Sequence, residues 1–303
     1  MAQVLAERGW AGWARAAGLV WLPVDSLVTA YLLATGLLVL LNRTRIPGAW
    51  ALLALHALGI GLILLAAKAG RLRAGAAVWA FRHWYPLPYI GACYREMALL
   101  IPAIRRVEFD AGMAQLDRLL WGVYPTVWLE RFCRAWLTEI LQLIYVLFFA
   151  AVLLVAWLLW HRGRLEEFRY YAFVISLGFL TSFWGYLLVP VRGPRFWLEN
   201  FHSAPLEGIW LFTDLRGLLD FLESAHYDCF PSGHVALTLV ACWGAWRISP
   251  LLGRLYIIYG VVMAFSTVYL RYHYTVDLLA GALLAAAVLA TAPRLYGSPR
   301  KGG

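Results

Sequence analysis

Long apolar runs are the feature that most restricts the fold of this chain. Residues 19–41, 50–67 and 274–292 carry almost no charge, and each run is close to the ~20 residues that a helix needs to cross a bilayer. The runs are continuous, whereas the strands of a membrane barrel alternate between apolar and polar residues. Because only helices and closed barrels satisfy every backbone polar group in lipid, the sequence predicts an all-α polytopic membrane helix bundle.

The hydropathy pattern predicts seven or eight spans, depending on residues 80–104. This segment holds Arg82, Arg95 and Glu96, so it either crosses the membrane or enters and returns. Lysine and arginine favour the cytoplasmic side, and eight spans place more of them there, which makes eight the preferred number. The eight segments are 19–41, 50–67, 80–104, 135–160, 168–189, 232–249, 254–270 and 274–292.

The charge balance bears on location and partners. The formal net charge of +9 would suggest nucleic acid in a soluble protein, but basic loops also orient membrane helices. We therefore expect membrane lipids as partners and no nucleic acid. The preferred topology is that of a multi-pass protein of a bacterial plasma membrane, with a cytoplasmic C-terminus and residues 190–231 on the extracytoplasmic side.

Three polar clusters lie at span ends on that extracytoplasmic side. They are PVRGPR at residues 190–195, FPSGH at 230–234 and RYHYTVD at 271–277. Since all three occupy the same end of the bundle, helix packing alone can bring them together. We therefore expect the three clusters to form one site.

The FPSGH cluster combines a helix start with a histidine. Pro231 suits the first turn of a helix, Ser232 can cap it, and Gly233 lets a ligand approach the backbone closely. Free N–H groups at a helix start favour a phosphate, and His234 would stand beside that anion as a proton donor. Taken alone, the cluster is more typical of a plain helix start with an exposed histidine.

The other two clusters supply a second histidine and positive charge. His273 and Asp277 are four residues apart, so a helix places them on one face. A carboxylate on one imidazole nitrogen leaves the other nitrogen free to attack. Arg271, Arg192 and Arg195 can bind phosphate oxygens. Taken singly, these residues also fit interfacial anchors and a helix-capping aspartate.

The order of an arginine-rich turn, PSGH and then H-x-x-x-D resembles the type 2 phosphatidic acid phosphatase superfamily. That superfamily also includes vanadium haloperoxidases, inositol phosphorylceramide synthases and sphingomyelin synthases. The resemblance covers roughly residues 135–295 and implies a six-helix-type phosphatase core. It divides the chain into 1–134, with N-terminal spans and an interfacial amphipathic segment at 105–134, and 135–303, the catalytic membrane core.

The resemblance also implies a role for each site residue. His273 would be the nucleophile that forms a phosphohistidine, Asp277 would orient it, and His234 would protonate the leaving alkoxide and then activate the acceptor. No metal or other cofactor is expected, since arginines and backbone amides would stabilise the phosphoryl charge. The residues implied to bind the phosphoryl oxygens are Ser232, Gly233, Arg271, Arg192 and Arg195.

Two departures from the family pattern affect the arginines. The lysine of the first motif is absent, because Gly185 and Leu188 stand seven residues before Arg192 and Arg195. In the third motif, Thr267 replaces the expected arginine. Arg271 lies four residues later, nearly on the same face of a continuing helix, so we expect it to substitute for the missing arginine.

The leading prediction is a metal-independent phosphatase that acts on a lipid phosphate. PSGH favours this phosphatase, whereas the RYHYTVD stretch also resembles the ceramide branch, which transfers a headgroup to a lipid alcohol or inositol acceptor. A non-enzymatic transporter would instead use Arg95 and Glu96 inside the membrane. A zinc site built from His234, His273 and Asp277 is disfavoured, because the adjoining arginines would repel a cation.

Overall fold

The computed structural model describes residues 20–69, 76–222 and 226–297, and within these ranges the chain is a bundle of α-helices. An isolated β-bridge joins Val191 to Asp228. The predicted all-α class is thus confirmed. The helices are α1 (Pro23–Leu41), α2 (Ala49–Ala69), α3 (Ala76–Trp84), α4 (Pro86–Ile104), α5 (Asp110–Trp121), α6 (Pro125–Leu129), α7 (Ala135–Val146), α8 (Phe148–His161), α9 (Leu165–Leu188), α10 (Pro194–Trp197), α11 (Phe212–Leu222), α12 (Gly233–Ile248), α13 (Pro250–Tyr269) and α14 (Thr275–Tyr296).

The long helices make this a multi-pass membrane protein. Among the described residues, α1, α2, α9, α13 and α14 are each long and apolar enough to cross a bilayer, and α7 with α8 forms a sixth span bent by 41°. The α12 helix has 16 residues, fewer than a full span needs. The predicted segment 80–104 is divided between α3 and α4 at Tyr85, because Pro86 cannot donate a backbone hydrogen bond to the preceding turn.

The α12 helix lies at the centre of the bundle, in contact with α8, α9, α13 and α14. Its packing face is made of small and branched residues, since Ala236, Val240, Ala241 and Ala245 are all buried. Small side chains let membrane helices approach closely, so that dispersion contacts replace the hydrophobic driving force that lipid cannot supply. This packing fixes the start of α12, which carries the FPSGH cluster, among its neighbours.

Two buried polar pairs hold the N-terminal helices together. Arg82 on α3 is paired with Asp25 on α1, and Tyr85 donates a 2.5 Å hydrogen bond to the same carboxylate. Glu96 on α4 is 3.1 Å from the Nε2 atom of His56 on α2. Such pairing stabilises charged groups that would otherwise be costly in a membrane.

The transporter hypothesis required Arg95 and Glu96 to be buried together in the bundle. Only Glu96 is buried, and its partner is His56, whereas Arg95 is exposed. The reason is geometric, because consecutive residues on a helix point about 100° apart. The two side chains therefore do not form one polar pathway.

Candidate active site

The two histidines and the aspartate of the predicted site lie together at one end of the bundle, which we call the motif end (residues 190–195, 230–234 and 271–277). His273 and Asp277 are both buried, and the Nδ1 atom of His273 is 3.5 Å from the Oδ2 atom of Asp277. The ring of His234 faces that of His273 nearly edge-on, with the centroids 5.9 Å apart. The spacing of these residues in the sequence therefore becomes a cluster in space.

The start of α12 is joined directly to the first turn of α14. Ser232 caps α12 as predicted, and its side chain accepts a 3.3 Å hydrogen bond from the N–H of Val235. The N–H of Ser232 donates to the carbonyl of Asp277 at 3.0 Å. Close contact is achieved at Gly281, where a Cβ atom would lie only 2.5 Å from the Ser232 carbonyl oxygen. The FPSGH cluster and the His273–Asp277 pair are thus joined by direct backbone contact.

Cys229 is a member of this cluster that the sequence motifs did not identify. Its thiol donates to Asp277 Oδ2 at 2.9 Å, and its Sγ atom is 3.4 Å from His273 Nδ1. Burial raises the pKa of the thiol well above its ordinary value, so it stays protonated and remains a donor. The N–H of Tyr274 donates to the same oxygen at 2.8 Å. The carboxylate that faces His273 is therefore held by two further donors.

The side chains at the motif end that lie close enough to share a metal ion differ from the set considered in the sequence. Potential ligand atoms of Cys229, His273 and Asp277 lie within 4.8 Å of one another. Among the described residues, this is the one group of three potential ligands at such distances. His234 is not in that group. The set of His234, His273 and Asp277 is thus not arranged as a single ligand cluster.

Arg192 and Arg195 line the same cavity as the two histidines. The Arg195 guanidinium lies 5.1 Å from the ring centroid of Tyr272, and its Nη1 atom is 2.5 Å from Asp220 Oδ1. The turn between them requires Gly193, because its φ is +100° and a Cβ atom would be 2.8 Å from the Tyr272 carbonyl oxygen. The N–H of Arg195 donates to the carbonyl of Arg271, which links the first cluster to the third.

Arg271 is the predicted phosphate-binding residue whose side chain lies elsewhere. Its backbone is left-handed, with φ at +66°, and its guanidinium borders a second cavity of about 760 Å³. There, Nη2 donates to the carbonyl of Ala204 at 3.0 Å and is 3.5 Å from Glu130. Burial lowers the pKa of this guanidinium, while Glu130 opposes that shift. The structure therefore does not bring the Arg271 side chain into the cavity of His273.

The cavity of the two histidines has a volume of about 400 Å³ and is mostly apolar away from the motif end. Tyr145, near the bend between α7 and α8, stacks on His234 and on Tyr272 with centroid distances of 4.4 Å in both cases. Its hydroxyl is 3.3 Å from His234 Nδ1. Tyr145 therefore restricts the orientation of the His234 ring, and no motif in the sequence indicated this contact.

The amphipathic segment at 105–134 fixes two of the three clusters through buried carboxylates. Asp110 accepts hydrogen bonds from the N–H groups of Arg192 and Gly193 at 2.9 and 2.8 Å. Asp117, two turns further along α5, accepts from the N–H of Thr275 at 2.9 Å, at the start of α14. The two acids are seven positions apart, which places them on one helix face. Their spacing was a signal available in the sequence.

One end of this apolar helix bundle holds two facing histidines, a buried aspartate and two arginines. Together these groups form a candidate site for an anionic phosphate group. Residues 112–291 match the PAP2 superfamily. The chain belongs to this superfamily, which confirms the resemblance found from its motifs.

One relative is a PA-phosphatase related-family protein from Dictyostelium discoideum, which is 33% identical over 97 residues. The aligned stretch covers 31% of this chain and 18% of that protein. No solved structure matches the chain. The family and this relative support a phosphatase-type function.

Proposed function

We propose that the protein is a membrane lipid phosphate phosphatase that works through a phosphohistidine. The observation that carries the proposal is His273, which faces Asp277 on one side and His234 across the same cavity. A neutral imidazole whose Nδ1–H points to a carboxylate has its Nε2 lone pair available for attack. The apolar remainder of the cavity suits a substrate that is a lipid.

In the first step, Nε2 of His273 attacks phosphorus and the bond from phosphorus to the lipid oxygen breaks. Protonated His234 gives its proton to the departing alkoxide, which leaves as a lipid alcohol. In the second step, His234 takes a proton from water as that water attacks phosphorus. The P–N bond then breaks, which releases inorganic phosphate and restores both histidines to their starting states.

Charge stabilisation in both steps falls to groups already at the motif end. Arg192 and Arg195 would bind the phosphoryl oxygens, together with the N–H of Gly233 at the start of α12. The N–H of Ser232 is engaged by the Asp277 carbonyl, so Ser232 would serve as the helix cap that positions this donor. These donors are held in place before reaction, so little reorganisation is needed and no metal is required. Arg271 acts differently in this scheme, because its carbonyl positions Arg195 while its side chain contacts Glu130.

The orientation and domain division are part of the proposal. Residues 190–231 carry six acids and three arginines, which supports an extracytoplasmic motif end and a cytoplasmic C-terminus, here in a plasma membrane. We place the start of the catalytic core inside the 105–134 segment rather than at 135. Two observations support this placement, the hydrogen bonds of Asp110 and Asp117 and the family match that begins at residue 112.

The test uses purified full-length protein in detergent, a panel of lipid phosphates, and lipid alcohol or inositol acceptors in parallel reactions. Released phosphate identifies a phosphatase, and a new phosphorylated lipid identifies a headgroup transferase. Brief reaction with ³²P-labelled substrate should leave acid-labile, base-stable label on the protein. His273→Ala should abolish both turnover and label, whereas His161→Ala, at the far end of α8, should keep both. Label that persists in His273→Ala would overturn the mechanism.

A further inference from the structure

One face of α4 forms a wall of the cavity that holds the two histidines. The lining residues on this helix are Leu87, Ile90, Gly91, Tyr94 and Arg95, whose spacing of three, one, three and one is that of a single helix face. The α4 helix lies outside residues 112–291, the part of the chain that matches the family. This wall is therefore a feature of the chain beyond its family core.

The cavity changes from polar to apolar along the direction of the helices. On α4, Arg95 and Tyr94 lie at the motif end, where the Tyr94 hydroxyl donates to Asp228 at 2.5 Å, and Leu87 lies two turns away. On α9, the lining residues run from Tyr186 to Ile175. At 1.5 Å per residue these stretches correspond to about 12 to 16 Å. The apolar part is thus a groove that leads from the histidines towards the middle of α9.

The groove continues beyond the main cavity. A second space of about 50 Å³ lies along the same helices and shares Leu87, Ile90 and Ile175 with it. Its other walls include Trp84 and Phe168, which are also apolar. The apolar surface is therefore longer than a phosphate site alone would need.

We propose that this groove binds a hydrocarbon chain of the lipid phosphate substrate, and that α4 determines which chains are accepted. The inference rests on the proposed function and deepens it. The charges match this occupant, because Arg95, Arg192 and Arg195 stand at the end where the phosphate must reach the histidines, and the opposite end carries only apolar side chains from α4. A soluble phosphate ester has no long hydrocarbon chain to occupy the groove.

Gly91 offers a direct way to fill the groove. It is exposed and lines the cavity, and a Cβ atom built on it would meet no other atom within 4 Å. The Cβ atom of Gly91→Phe would therefore meet no protein atom, and we expect its ring to occupy the space assigned to the hydrocarbon chain. Ala92→Phe is the matched control, because Ala92 is also exposed but points about 100° away and does not line the cavity.

The experiment compares kcat/KM for a long-chain lipid phosphate with kcat/KM for a soluble aryl phosphate. In Gly91→Phe, the ratio of the two should fall at least about tenfold, a loss that displacement of two buried methylene groups is enough to cause. Ala92→Phe should keep the parent ratio. An unchanged ratio in Gly91→Phe, or an equal fall in both variants, would refute the proposal that the groove binds the hydrocarbon chain.

A binding measurement separates this inference from the proposed function. A lipid phosphate with a diazirine in its chain should label peptides of α4 on irradiation, and it should do so in His273→Ala as well, since binding does not need the nucleophile. Labelling that misses both α4 and α9 would refute the groove even where hydrolysis is found, and labelling of α9 alone would refute the role of α4. Labelling of α4 without any hydrolysis would refute the phosphatase and leave the groove as a lipid-binding site.

Discussion

Gly281→Ala tests whether the contact between α12 and α14 positions the site. The added Cβ atom would lie 2.5 Å from the Ser232 carbonyl oxygen and 3.3 Å from the Cβ atoms of Ser232 and Val235. The carbonyl belongs to the backbone and also accepts from the N–H of Ala236 at 3.0 Å, so it cannot simply rotate away. The start of α12 must therefore move from α14 by at least about 0.5 Å to reach the shortest contacts that Cβ atoms normally make.

This displacement has two expected costs. Overpacking a tight contact destabilises a protein by about 1 to 3 kcal/mol, and replacing glycine by alanine within a helix returns about 1 kcal/mol of that. The second cost is catalytic, because His234 moves relative to His273, and a misplacement of about 1 Å can reduce a rate about 100-fold. Half that movement predicts a fall in kcat/KM of about tenfold.

The assay combines hydrolysis of a soluble phosphate ester with thermal unfolding in detergent. Gly260→Ala on α13 is the matched control, since a Cβ atom there would be 3.4 Å from Cys242 Sγ and from Thr238 Cγ2, an ordinary contact. The control should keep its activity and unfold at or above the parent temperature. If Gly281→Ala is as active as Gly260→Ala, the two helices do not position the histidines in the way described.

Three further predictions concern other parts of the molecule. Arg82→Leu should lower the free energy of unfolding, measured by denaturation, by about 3 to 5 kcal/mol, because it leaves Asp25 buried without its charge partner. Arg164→Leu removes only a partly exposed pair with Glu167. In the same measurement it should lower the free energy of unfolding by about 1 kcal/mol or less. Cys229 should resist iodoacetamide at pH 8 in the folded protein and react after unfolding, since burial raises its pKa; rapid labelling of the native protein, located by mass spectrometry, would contradict its placement. Turnover should survive EDTA, because arginines and amides take the place of a metal, and loss of activity that a divalent cation restores would refute the metal-independent scheme.

The parts of the site that depend on local spacing could be predicted from the sequence. His273 and Asp277 are four residues apart, and Ser232 precedes an apolar run, so the facing pair and the helix cap followed from helix geometry alone. The helix-bundle class followed from the apolar runs, because each is continuous and long enough for a helix to cross a bilayer. Pro86 was also a visible break signal inside the predicted segment 80–104, where the structure separates α3 from α4.

The remainder depends on tertiary contacts that spacing does not encode. The direction of Arg271 follows from a left-handed backbone that neighbouring segments impose, and a continuing helix was the only geometry that its sequence position suggested. Tyr145 contacts His234 from 89 positions away in the chain. Cys229 lies outside every motif, and its role depends on the fold that brings it to Asp277. Such contacts can be recognised only once the fold has brought segments that are distant in the sequence together.

The hydrogen bonds from α5 to the motif end have a consequence for biogenesis. Asp117 is synthesised long before α14, yet the N–H groups that it caps belong to Thr275 and Val276. A nascent chain therefore carries an acceptor at Asp117 whose first donor, the N–H of Thr275, is added 158 residues later. We expect a chain that ends at residue 270 to insert its earlier helices but to expose α5 to protease, and restoring the last helix as a separate peptide should protect it again.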